Sequence, residues 1–155
     1  MEDLTHERGG GARARGRIDW FWVVMIALLF GFYWYMGRTA PMPDVFANGA
    51  GLFEAVERSE EEGKVVVAVA TADWCGACQV YKREALVDKG VTSWLRDNAI
   101  PVYIDVDDEP DAAVALGVRG LPATIVIRDG QVLEHLEGAY RADDLLAVLE
   151  RSASD

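Results

Sequence analysis

The chain has 155 residues, 51% of them hydrophobic, and a formal net charge of -11, which allows one domain with a real core plus a short appendage. The acid is uneven: residues 44–155 hold 10 Lys or Arg against 22 Asp or Glu, a net of -12, whereas residues 1–43 hold 5 against 4, a net of +1. A domain this acidic repels phosphate backbones and anionic headgroups, so nucleic-acid binding is excluded and partners are expected to be neutral or basic.

Residues 1–17 read as a tail rich in Gly and Arg, with no role beyond a topology signal. From Ile18 to Met36 the chain is apolar except for Asp19. As a helix those residues would rise roughly 28 Å, close to the thickness of a bilayer's hydrocarbon core. Trp20 and Trp22 at one end, and Tyr33, Trp34 and Tyr35 at the other, suit two headgroup layers. An uncleaved transmembrane helix over 18–36 is therefore expected. A cleaved leader would have a shorter apolar stretch, and Arg38-Thr39-Ala40 is a poor cleavage site. Arg8, Arg13, Arg15 and Arg17 precede the span and Arg38 alone follows it. That asymmetry puts the tail in the cytoplasm and the acidic domain on the other side. Residues 37–49, with Pro41 and Pro43, read as a linker, and 50–155 as the folded domain.

Within that domain, Leu52 to Glu62 suits an amphipathic helix ended by Gly63, and the acidic run Glu60-Glu61-Glu62 is a solvated face. Lys64 to Ala70 is a Val and Ala run, the pattern of a strand buried on both sides. Helices are expected over Cys78–Leu86, Val91–Asn98 and Asp111–Leu116, with a strand over Pro101–Val106 between the last two. Ala123–Arg128 and Gln131–Glu137 read as a hairpin turning at Asp129-Gly130. A last helix covers Arg141–Arg151. The order implies an α/β domain, a mixed sheet covered by helices.

Chemistry concentrates at Cys75 and Cys78, the only cysteines. Structural zinc needs about four ligands, and the two histidines, His6 and His135, lie far apart, so no metal is expected. Gln79 stands where a haem-attachment motif needs His. Calcium fails as well, because Pro110 occupies the sixth position of the acidic stretch from Asp105 to Asp111. His135 reads as a strand histidine without partners, Trp94 as a core anchor, and Tyr81 and Tyr140 as groove or core residues. Two cysteines at i and i+3, where a helix follows a buried strand, put both sulfurs at one helix end. There the dipole favours a thiolate at Cys75, which should act as nucleophile, with Cys78 as resolving thiol. A static disulfide is the alternative, and so short a loop would constrain the unfolded chain little.

The runs WCGAC and GVRGLPATIVIRDG, with Gly138 beyond them, resemble thioredoxins over about residues 50–151. ADWCGACQVYKREAL is similar to the carboxy-terminal thioredoxin-like domain of bacterial thiol-disulfide interchange proteins. The resemblance implies a thioredoxin fold, with helices on both faces of the sheet and a cis Pro122 facing Cys75 and Cys78. It also implies a substrate groove formed by Trp74, Gly76, Ala77, Gly120, Leu121 and Gly138. The implied location is the bacterial inner membrane, with the domain in the periplasm. Thioredoxins carry a buried Asp six positions before the nucleophile, with a Lys beside it; Val69 and Tyr103 stand at those positions. Ala77 replaces a proline, Ala123 a threonine and Glu137 an apolar groove residue.

The expected activity is that of a membrane-anchored thiol-disulfide oxidoreductase, a reductase of extracytoplasmic protein disulfides supplied by a membrane or soluble thiol partner. No cofactor beyond the Cys75 to Cys78 pair is expected. Leu121 before the proline resembles reducing members of the family. A disulfide oxidase, an apocytochrome c reductant and a tethered binding module or holdase are the alternatives.

Overall fold

The computed structural model describes residues 20–37, 39–47 and 49–154. The expected tail, Ile18, Asp19 and Arg38 lie outside the described residues, and with them all five arginines of the orientation argument. The chain forms two units, one through Arg38 and one from Thr39 onward.

The first unit contains helix α1 (Trp20–Met36), 17 residues long, which rises about 25 Å. Its side chains from Trp20 to Tyr35 are exposed all round. Among the described residues, no helix is long and apolar enough to cross a membrane. The expected 19-residue span is thus described as helix over 17 of its residues.

The second unit is built around strand β1 (Val65–Thr71), every residue of which is buried. It pairs in parallel with β2 (Ala99–Asp105) and antiparallel with β3 (Ala123–Arg128), which pairs antiparallel with β4 (Gln131–Glu137). The sheet order is β2-β1-β3-β4, a mixed sheet as expected. Alternate residues of β1 serve opposite cores, since successive side chains of a strand point to opposite faces. Val66, Ala68 and Ala70 meet Leu52 and Ala55 of α2 (Leu52–Glu62) and Ala112 and Ala113 of α5 (Pro110–Ala115). Val65, Val67 and Val69 meet Tyr81 of α3 (Gly76–Arg83), Leu95 of α4 (Lys89–Asn98), and Leu145 and Leu149 of α6 (Ala142–Ser154). Helices therefore cover both faces.

Local chemistry explains the boundaries. Gly63 closes α2 in the left-handed region, φ 65°, where glycine carries no steric penalty. Helix α4 starts two residues before the expected Val91 because the Asp88 carboxylate accepts hydrogen bonds from the amides of Gly90 (2.8 Å) and Val91 (3.2 Å). The helix expected over Cys78–Leu86 begins at Gly76, ends at Arg83, and gives way to a tighter turn over Ala85–Val87. Asp129 and Gly130 both adopt positive φ, 50° and 71°, as a two-residue hairpin of this hand requires.

The segment expected as a linker does more than connect. A short 3-10 turn, Asp44–Phe46, buries Val45 and Phe46 against the α3 side of the sheet, and Ala40 and Pro43 are buried beside it. Its prolines fix an extended approach, while its two apolar side chains supply the docking energy.

Two predictions follow from this packing. Phe46→Ala should cost about 3–5 kcal/mol in urea unfolding, and an unchanged midpoint would return residues 39–49 to linker status. The Tyr81 phenol is bonded to Thr124 Oγ1 at 2.9 Å. Burial pushes it up to about 12 from 10.0, against the opposing hydrogen bond from Thr124, with a further push from Tyr140. Above pH 10 the unfolded chain loses this proton while the folded chain keeps it, so stability falls as pH rises toward 12. From pH 10 to 11, wild type should lose about 1 kcal/mol more than Tyr81→Phe; equal losses would show that the phenol is not buried in its neutral form.

Candidate active site

At the end of β1 the chain turns through Ala72, whose carbonyl accepts the Cys75 amide at 3.2 Å. Cys75 has extended backbone angles and is the N-cap of α3, so its sulfur lies among the helix's first, otherwise unpaired amides. Its Sγ accepts the Cys78 amide at 3.2 Å, and its carbonyl accepts the Gln79 amide at 3.1 Å. Cys75 and Cys78 form a disulfide with Cα atoms 5.2 Å apart. The two cysteines differ in access: Cys75 is 7% exposed and Cys78 is 0% exposed. Ala72 packs on both, with half-buried Val106 and Leu121 against them.

The Leu121-Pro122 bond is cis, as the resemblance implied. Pro122 is buried, and its carbonyl accepts the Gly138 amide at 2.7 Å, so the loop before β3 is tied to the end of β4. Beside the disulfide runs an open groove of about 370 Å³. Of the expected groove residues, Trp74, Gly120 and Leu121 line it together with Cys75. Gly76 and Ala77 are exposed in the first turn of α3 instead, while Pro122 and Gly138 do not line it. Val106, Ala113, Val118 and Arg119 complete the wall and were missed. The available signal was topological: β1 and β2 are parallel, and sites in such sheets collect beyond the carboxyl ends of the strands. Trp74 follows β1 and Val106 follows β2 in that position.

Trp74 is 71% exposed, and its indole N–H donates to Asp107 Oδ2 at 2.8 Å, which fixes the ring at the groove's edge. Glu137, aligned with Ala123 across the hairpin, brings its carboxylate over Gly120: a Cβ there would lie 3.5 Å from Glu137 Oε2. His135 is exposed, Trp94 and Tyr140 are half-buried at the core's edge, and Tyr81 is fully in the core.

Beneath α3 lies a polar group made by neither member of the expected acid and lysine pair. Val69 and Tyr103 are aligned across β1 and β2, so the two replaced positions are neighbours. Tyr103 OH accepts from Thr71 Oγ1 at 2.7 Å and from Lys82 Nζ at 3.3 Å. Lys82 Nζ also lies 3.4 Å from Asp73 Oδ1. Gln79 donates to the Asp73 carbonyl at 3.0 Å and accepts the Ala40 amide, joining the docked segment to α3.

Residues 52–153 match the family model for the thioredoxin-like domain. An H-type thioredoxin from Fagopyrum esculentum is 31% identical over 96 residues, covering 60% of this chain and 76% of that protein. The structure of a thioredoxin variant from Halobacterium salinarum superposes with a TM-score of 0.55 at 28% identity, covering 75% of this chain and 95% of that one. A thioredoxin from Thermus thermophilus, with a TM-score of 0.58 at 21% identity over 65% of this chain and 82% of its own, shares the fold. With a disulfide capping α3, a cis proline beside it and a matching family model over most of its length, the chain belongs to the thioredoxin-like domain family.

Proposed function

We propose that this protein is a thiol-disulfide oxidoreductase that reduces protein disulfides outside the cytoplasm, held at a membrane by its amino-terminal segment. The observation that carries the redox reading is the unequal access of two disulfide-bonded cysteines at one helix end, beside a groove. In the reduced protein, the Cys75 thiolate attacks a substrate disulfide. A Cys75–substrate disulfide forms, the substrate bond breaks, and the leaving substrate sulfur takes a proton. Cys78 then gives up its proton and attacks Cys75 Sγ. The second substrate sulfur leaves reduced, and the intramolecular disulfide present in the structure is restored. Two electrons pass to the substrate, and a dithiol partner returns them; the cysteines themselves carry the electrons.

The role of Cys75 as nucleophile is supported by its N-cap position, where an amide already donates to its sulfur and the dipole favours negative charge. The reducing direction is supported by the apolar packing of Ala72, Val106 and Leu121 on the pair. Burial penalises a thiolate in the reduced form and so favours the disulfide. Trp74, Gly120 and Leu121 are the groove residues for the substrate, with Gly76 and Ala77 at its approach, and the Gly138–Pro122 hydrogen bond ties the loop that carries Gly120 and Leu121 to β4. The tether is supported by composition: the aromatic-ended apolar run from Ile18 to Met36, with four arginines before it and one after.

Cys78→Ser should accumulate mixed disulfides with protein partners, read as reducible bands on non-reducing gels, and Cys75→Ser should accumulate none. Traps on Cys75→Ser but not on Cys78→Ser would reverse the assignment, and none on either would end the exchange reading. Equilibration with glutathione should give a potential at or below about -230 mV, and a value near -120 mV, typical of a strong oxidant, would overturn the reducing direction. The full chain should stay with membranes through alkaline carbonate washing; release into the soluble fraction would remove the tether.

A further inference from the structure

We propose that Lys82 acts through Cys78, placing beneath α3 the charge that favours its thiolate in the resolving step. This rests on the exchange reading and names a residue that reading does not use. The Lys82 side chain is 1% exposed, and an ammonium so placed is costly unless something nearby compensates it. Its partners are distant by hydrogen-bond standards: 3.4 Å to Asp73 Oδ1, 3.3 Å to Tyr103 OH, with the Tyr103 ring centroid 6.0 Å away. Asp73 is itself 66% exposed, so water weakens its countercharge.

The position of the ammonium is what matters. Lys82 follows Cys78 by four residues on α3, and side chains at that spacing share a face, with Cβ atoms about 5–6 Å apart. Its two polar anchors flank the residue that covers the thiol: Tyr103 OH holds Thr71, Asp73 comes two residues later, and Ala72 between them packs on Cys78. At Val69, where the family carries its acid, this chain has only a buried apolar side chain facing Tyr103. The charge is supplied from α3 instead of from β1, and with opposite sign. A carboxylate would take the proton. An ammonium has no lone pair to take it with, and instead favours the thiolate after the Cys78 proton has passed to water. Asp73 from the turn after β1 and Tyr103 from β2 lie against Lys82, Asp105 is two residues along β2 from Tyr103 and so on the same face of the strand, and Asp44 of the docked turn and Arg83 line one groove with Lys82. Lys82 is thus a positioning residue rather than a catalytic one.

The test isolates Cys78. In Cys75→Ser protein it is the one remaining thiol, and its thiolate absorbance can be titrated directly. Adding Lys82→Met should raise the midpoint by about one pH unit, whereas Lys82→Arg should leave it within a few tenths. Lys82→Gln, neutral but able to satisfy Tyr103, should match Lys82→Met and carries the test if the methionine variant does not fold. In protein with both cysteines, Lys82→Met should slow resolution of a Cys75–glutathione disulfide at pH 7 about threefold. Tenfold less thiolate is partly offset by greater nucleophilicity at higher pKa. Midpoints unchanged in both neutral variants, or shifted equally by Lys82→Arg, would overturn the proposal. Because the titration uses no substrate, its failure is separable from a failure of Cys78→Ser to trap partners, which would remove the exchange reading itself.

Discussion

Strand β1 has no exposed residue and carries two cores at once. A backbone so enclosed must pair on both edges, and it does, with β2 on one side and β3 on the other. The consequence appears where the strand stops. Thr71 and Ala72 are held as firmly as the core, so the turn that follows delivers Cys75 to the first turn of α3 in a fixed place. The cis proline loop comes to the same end because β3 begins there, Ala123 pairing with Ala70 of β1. The disulfide, Trp74 and Leu121 meet because two neighbouring strands, one entering and one leaving, are locked together by the same ladder of hydrogen bonds.

The polar groups under α3 show the opposite economy. Thr71, Tyr103, Lys82, Asp73 and Gln79 form a connected set at the boundary between the α3-side core and the surface. The docked segment closes that boundary: Ala40 bonds Gln79, and residues from Ala40 to Asp44 share a groove with Lys82. Without it, the lysine would reach water at little cost. With it, the Lys82 side chain is 1% exposed and lies against Asp73 and Tyr103. The prolines that marked these residues as a connector are the same ones that let them lie extended across α3.

The regular elements were legible because their signals are local. An unbroken Val and Ala run between Lys64 and Thr71, a glycine after an acidic helix, and Asp129-Gly130 between two apolar runs each state their structure within a few residues. The dithiol was legible for the same reason, since its spacing puts both sulfurs on one turn. What stayed hidden depends on contacts between distant residues. Val45 and Phe46 sit in a stretch whose composition reads as a linker, and only the core they fill shows otherwise. Lysine is ordinarily a surface residue, so nothing in the string around Lys82 marked it as buried. Val106 and Ala113 fall within an expected strand and an expected helix, and nothing in the string around them or around Val118 points to a groove beside Cys75.

The two rims of the sheet differ from its centre in what they offer another chain. Strand β2 is an edge, and Pro101 within it has no amide to give. A proline is tolerated there because, among the described residues, no further strand needs that donor. At the other rim, β4 follows exposed Val132 and Leu133 with Glu134, His135 and Glu137, and charges on an edge discourage a flat, register-matched neighbour. Each rim is thereby a poor template for an unpaired strand of another chain.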